Sequence, residues 1–304
     1  MALLKKNSNI CSTINQFGIE YTFKLYVIGR FRSRRYSQRV ISKYLQKYMG
    51  NQVIQTLSHN PEPIRKDSPV WICWFQGEDS MPPIVKVCYQ SILKHAGSHP
   101  VHLITSENYK DYISFPSQII NNFEKGNITL THLSDLLRFA LLAEYGGLWM
   151  DSTLWVTGDI SQYIDDKYLF SLKQSAKDDL YVSNYRWAGY CFGGGKYNIV
   201  LTNVRNLLYY YYWEHHSKYN YFILDYIIDL VYNEVPAAKA MIDAIPYNNP
   251  DVEKLYSCLN QKFNNLEYLH LCKHTAIHKL SWKGKLLLKD QSNMPTYYSY
   301  LINS

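Results

Sequence analysis

No stretch of about eighteen consecutive apolar residues occurs in the 304-residue chain, so no segment reads as a bilayer-spanning helix. Cysteines number six, at 11, 73, 88, 191, 258 and 272, and none form a CxxC pair. That spacing argues against a disulfide framework or a zinc site and for a reducing setting. The start carries no secretory signal pattern, so a cytoplasmic location is the expectation. Acidic residues are nearly missing from one end. Residues 1–50 hold ten Lys or Arg against Glu20 alone, a charge of +9 in a chain whose net charge is +7. The basicity belongs to an N-terminal arm. No internal repeat and no nucleic-acid module accompanies it, so nucleic acid is not an expected partner.

What is present is a globular composition, 47% hydrophobic, long enough for one large domain with or without a helical appendage. The 29 tyrosines outnumber the 11 phenylalanines. Such a skew suits sugar-stacking surfaces and bilayer interfaces, or reflects a bias of the source.

In the arm, Tyr36, Val40, Ile41, Tyr44, Leu45 and Tyr48 recur at helical steps, with Arg39, Lys43 and Lys47 off that stripe. Two readings fit. The helix lies on an anionic membrane, so that the chain is peripheral on the inner face of the cell membrane, or it packs on the body with its basic face solvated. The proline-rich residues 58–69 read as a linker, dividing a basic arm over 1–60 from a main domain over 61–304. There, the apolar run 70–75 predicts a buried parallel strand with a ligand-facing loop from Gln76. A helix over 84–95 and a strand over 101–105 complete a right-handed β-α-β unit.

The stretch 132–155 organises the rest. Leu133, Leu136, Leu137, Ala140 and Leu141 predict a helix, with Ser134 as a candidate cap and Gly146-Gly147 as its end. Residues 148–150 then read as a buried strand closing on Asp151. Further strands are expected over 168–172, 180–183 and 187–192, a flexible turn at Gly193-Gly194-Gly195, and helices over 198–213 and 221–231. The crowded rings of Tyr209 to Trp213 cannot all be core, and some are expected to line a groove. The alternation of strands and helices makes this an α/β chain.

Four places can carry chemistry. Asp151, at the carboxyl end of a buried strand, can hold a divalent cation that neutralises a diphosphate, or simply cap the next turn. Asp135 and Arg138 share a helix face, either as an ion pair or as a grip on hydroxyl groups, with Ser134 beside them. Trp71 and Trp74 face opposite sides of their strand, so at most one meets a ligand. The late cluster His278, Lys279, Ser281, Trp282, Lys283 and Lys285 suits phosphate, or is a solvated segment.

Taken together, residues 70–75 ending near Trp74, the Ser134-Asp135-x-x-Arg138 helix, Gly146-Gly147 and the strand to Asp151 resemble the DXD-containing sugar-nucleotide glycosyltransferases. The likeness is strongest to bacterial capsular polysaccharide synthesis proteins and spans roughly residues 70–285. It implies a Rossmann-like glycosyltransferase domain of the A type. It also implies transfer, with retention, from a nucleotide-sugar donor to a polysaccharide or lipid-linked glycan acceptor. Carried over, Trp74 and Gln76 lie at the nucleotide, and Ser134, Asp135 and Arg138 hold ribose and sugar. Gly146 and Gly147 let the backbone approach the donor. Asp151, Ser152 and Thr153 occupy the DXD positions, and His278, Ser281, Trp282 and Lys283 sit near the diphosphate. Thr153 replaces the second acid. The expected cofactor is nonetheless Mn²⁺ or Mg²⁺, on Asp151 and His278. Asp225 is the candidate acceptor-side carboxylate. The alternative is a noncatalytic carbohydrate- or membrane-binding protein on the same scaffold.

Overall fold

A computed structural model describes residues 10–28, 33–175, 180–214 and 222–303. Its centre is a five-stranded sheet in the order β2-β1-β3-β6-β5. Strands β1 (Val70–Cys73), β2 (Val101–Ile104) and β3 (Gly147–Met150) run parallel, while β6 (Cys191–Gly194) is antiparallel to both β3 and β5 (Leu169–Ser171).

Alternation along the strands assigns side chains to two cores. Val70 and Ile72 of β1, with Leu148 and Met150 of β3, face the helix Pro83–His95 and the C-terminal elements. Trp71, Trp149 and Phe192 face the opposite way, onto the helices Leu130–Tyr145, Ile199–Glu214 and Ile223–Glu234. A sheet covered on both faces needs apolar residues at every position, which is why β1 and β3 read as continuous apolar runs.

The central helix, Leu130–Tyr145, starts earlier than the Ser134 cap predicts. Thr129 caps it, its side chain accepting the His132 N–H at 3.3 Å. Gly146, at φ 70°, ends it. Gly147 follows at φ 94°, where a Cβ would lie 2.0 Å from the Pro69 carbonyl oxygen. The pair therefore packs the start of β3 against residue 69.

Two other expectations change. Residues 180–183 form turns rather than a strand, followed by Asn184 and Tyr185 at positive φ. Gly193 and Gly194 are buried strand positions instead of a flexible turn. A Cβ on Gly193 would lie 2.5 Å from the Gly147 carbonyl oxygen. Among the crowded rings, Tyr211 and Tyr212 are core and Trp213 is exposed.

The arm helix, Arg34–Met49, buries Val40, Ile41, Tyr44, Leu45 and Met49 in the main core. Ser42 donates to Asp229 at 3.2 Å and Gln46 to Glu234 at 2.7 Å. Arg39, Lys43 and Lys47 stay exposed. The helix is packed on the body with its basic residues facing outward. The proline-rich segment is also held, since Glu62 N–H donates to the Lys196 carbonyl and Ile64 N–H to that of Lys167. Among the described residues, no helix is long and apolar enough to cross a membrane.

A second, two-stranded sheet joins β4 (Leu154–Val156) to β7 (Ile277–Lys279), antiparallel, with Leu154 opposite Lys279 and Trp155 opposite His278. It brings the late sequence cluster back beside Asp151.

Candidate active site

A cavity of about 570 Å³ opens beyond the carboxyl ends of β1 and β3. This is where α/β sheets place ligands. Its lining includes Trp74, Gln76, Ser134, Asp135, Arg138, Asp151, Ser152, Asp225, Lys279 and Trp282. Residues more than two hundred positions apart thus converge on one crevice.

Asp151 is its electrostatic centre. One carboxylate oxygen accepts from Arg138 Nη2 at 3.2 Å and from the Trp149 indole N–H at 3.0 Å. The other accepts from Lys279 Nζ at 2.9 Å. Burial by itself would raise the Asp151 pKa, but Lys279 and Arg138, with the Trp149 hydrogen bond, outweigh it and hold it below the ordinary carboxylate value. Trp149 and Asp151 are two apart on one extended segment and so share a face, a signal present in the sequence.

Arg138 also reaches Asp135, at 3.1 Å, so a single guanidinium links both acids, and it stacks 5.0 Å from the Trp149 ring. Asp135 behaves oppositely to Asp151. Burial pushes its pKa up to about 7 against the pull of Arg138, with Asp151 and Asp225 adding repulsion. Asp225, which accepts the Trp187 indole N–H at 2.9 Å, is raised to about 6, chiefly by burial. The crevice therefore holds one carboxylate kept ionised and others poised near neutrality, the separation that acid–base chemistry uses.

At the mouth, Trp74 donates to Ser80 Oγ at 2.9 Å and meets Trp282 edge-on, with ring centroids 6.0 Å apart. Trp282 is 44% exposed, so both rings can receive a planar ligand. Trp71 points the other way, donating to the Gly146 carbonyl at 3.0 Å.

Several expected site residues lie elsewhere. Gly146 and Gly147 sit at the opposite end of β3, against residues 194–196 and Pro69, and serve backbone packing, not donor approach. Ser281 and Lys283 are outside the cavity lining, the hydroxyl of Ser281 accepting the Lys283 N–H at 3.1 Å. His278 is fully buried and also outside the lining, and burial lowers its pKa to about 4. Its place opposite Trp155 turns it away from Asp151.

The neighbour of His278, read in the sequence only as one member of a cluster suited to phosphate, is the residue that reaches Asp151. Lys279 donates to Asp151 and, at 2.7 Å, to Thr153 Oγ1, and it lies 4.9 Å from the Tyr190 ring. Choosing between two adjacent residues required the register of β7 on β4, which a single sequence does not reveal.

The donor set does not fit a divalent cation. Among the described residues, no group of three or more His, Cys, Asp or Glu is arranged to hold a metal. Asp151 already receives three donors, and the ammonium bridges it to Thr153. Two unit charges ~4 Å apart repel by ~4 kcal/mol at an effective dielectric constant of ~20, and a dication beside Lys279 doubles that.

Comparison with known proteins identifies the family. Residues 23–301 match the model of the capsular polysaccharide synthesis protein family. An O-glycosyltransferase, braB, of Annulohypoxylon truncatum is 32% identical over 99 residues, which are 30% of this chain. The match spans 24% of the length of that relative. Among solved structures, the PaToxG glycosyltransferase aligns with a TM-score of 0.43 at 13% identity, covering 78% of this chain and 94% of that one. With nearly its whole length matched by that family model, the chain belongs to the capsular polysaccharide synthesis protein family.

Proposed function

We propose that the protein is a glycosyltransferase of the A type. It transfers a sugar from a nucleotide donor to a surface polysaccharide or lipid-linked glycan. The observation that carries this is the convergence of Asp151, Arg138 and Lys279 with the Trp74–Trp282 pair in one crevice at the carboxyl edge of the sheet. Family membership and the glycosyltransferase relative support it.

In this reading the Trp74 and Trp282 rings hold the base, and Asp135 and Arg138 hold ribose and sugar hydroxyls. The cationic groups gathered around Asp151 face the diphosphate. As the bond from the anomeric carbon to the phosphate oxygen breaks, its electron pair passes to the diphosphate. The acceptor oxygen forms the new bond on the same face, and its proton goes to the departing phosphate oxygen, with retention of configuration. Asp225, in the same cavity lining and raised to about 6, would orient the acceptor hydroxyl. The exposed Arg39, Lys43 and Lys47 would hold the enzyme peripherally on the inner face of the membrane, beside a lipid-linked acceptor.

Isothermal titration with a panel of nucleoside diphosphates tests the reading. At least one is expected to bind, and more weakly after Trp74→Ala. Absence of binding across the panel would contradict it.

A further inference from the structure

We propose that Lys279 takes the place of the divalent cation, so that this site neutralises its diphosphate without metal. The inference rests on the sugar-nucleotide reading above and goes beyond it. Three observations converge. The Lys279 ammonium bridges Asp151 and Thr153, the first and third positions of the Asp-Ser-Thr triplet, at 2.9 and 2.7 Å. The third position is a hydroxyl, which can accept from an ammonium but offers no negative charge to a metal. The remaining acid is shared with Arg138 and Trp149, and the histidine expected to complete a shell is fully buried on the far side of β7.

The geometry also suits the task. An ammonium has three N–H donors. Asp151 and Thr153 take one each, leaving one for a phosphate oxygen in the cavity that Lys279 lines. Asp151 and Thr153 then act as the holder that aims the cation, as protein ligands aim a metal. When the anomeric carbon–oxygen bond breaks and its electron pair stays on the diphosphate, the added negative charge is met by that N–H and by Arg138. The acceptor proton is transferred as described above, and no other reactant is needed. Lys279 would thus be a catalytic residue that sets the metal requirement.

Titration of uridine and guanosine diphosphates into EDTA-treated protein, with and without added MnCl₂, tests this. At least one should bind the parent with affinities within about twofold in the two conditions, a difference under ~0.5 kcal/mol. Lys279→Ala should weaken that binding roughly 10- to 100-fold, the loss expected for a hydrogen bond to a charged group. Circular dichroism and thermal melting verify its fold, and Lys279→Met provides a second neutral variant of similar length. The double variant Thr153→Asp/Lys279→Ala restores the acidic pair and removes the ammonium. It should bind Mn²⁺ itself by electron paramagnetic resonance and bind the diphosphate only in its presence. Parent binding that needs manganese, or folded Lys279 variants that bind as tightly as the parent, overturns the inference and leaves the glycosyltransferase reading standing. If neither binds, the same titrations are run with the wider nucleoside diphosphate panel, and absence of binding across it in both conditions defeats that reading and the inference with it.

Discussion

Asp151 and Asp225 sit in one crevice with opposite electrostatics, and this makes them separable by experiment. Asp151 is held ionised despite its burial by Lys279 and Arg138, so Asp151→Asn keeps the shape while releasing both cations. Turnover of the preferred donor should fall roughly 100- to 1,000-fold, the scale of losing one aligned electrostatic group, with the fold retained in circular dichroism. For Asp225 the sign is reversed. Its folded pKa is about 6 against 3.8 for an ordinary aspartate, so the folded state binds the proton more tightly. The stability this confers is present at low pH and is lost as pH rises from the unfolded value through about 6. Asp225→Asn should therefore melt at or above the parent above neutrality, and the advantage should vanish on acidification, as read by melting temperature across pH. If Asp225 serves the acceptor, the same variant loses activity, together with any limb of the parent's pH–rate profile near 6. At this scale the sequence was informative where chemistry is local. Asp151, Asp135, Arg138 and Trp74 were legible from spacing and strand ends. Lys279 was legible only as one member of a basic cluster, because its pairing with Asp151 is a fact of register.

The elements explain the remaining differences. Gly146-Gly147 reads correctly as a helix end, but its place at the start of β3 puts it far from the ligand edge. Gly147→Ala, with a Cβ 2.0 Å from a carbonyl oxygen and φ of 94°, should destabilise the fold by more than ~2 kcal/mol in urea unfolding. The nucleotide affinity of the folded fraction should be unchanged. Residues 193–195 misread for a related reason. Close backbone approach between β3, β6 and the segment at Glu62 demands glycine in strands, and sequence alone reads such a triplet as a loop. The arm helix was legible as an amphipathic stripe, but a stripe does not say what covers it. Leu45 is fully buried in the main core, so Leu45→Ala should cost roughly 2–5 kcal/mol. Changing the exposed Arg39, Lys43 and Lys47 to Gln should leave stability within ~0.5 kcal/mol per substitution. It should weaken sedimentation with anionic liposomes, at roughly 1 kcal/mol per residue, and the parent's own binding should fall with added salt. Unchanged liposome binding would show that this face does another job.

Across the molecule, the arm, the proline-rich segment and the last strand close around one sheet whose carboxyl edge carries the crevice. The parallel β1 and β2, and a buried strand at β3, were foreseeable from apolar runs and helical spacing. A strand at β5 was expected, but its antiparallel pairing with β6 and the small β4–β7 sheet were not, because the direction and partner of such short strands are set by tertiary contacts. The central claim is that sugar transfer takes place at Asp151. A donor-panel assay measuring nucleoside diphosphate release by the parent and by Asp151→Asn tests it most directly. The account predicts release from at least one nucleotide sugar by the parent and its near-complete loss in the variant. Equal release by a folded Asp151→Asn protein would contradict it.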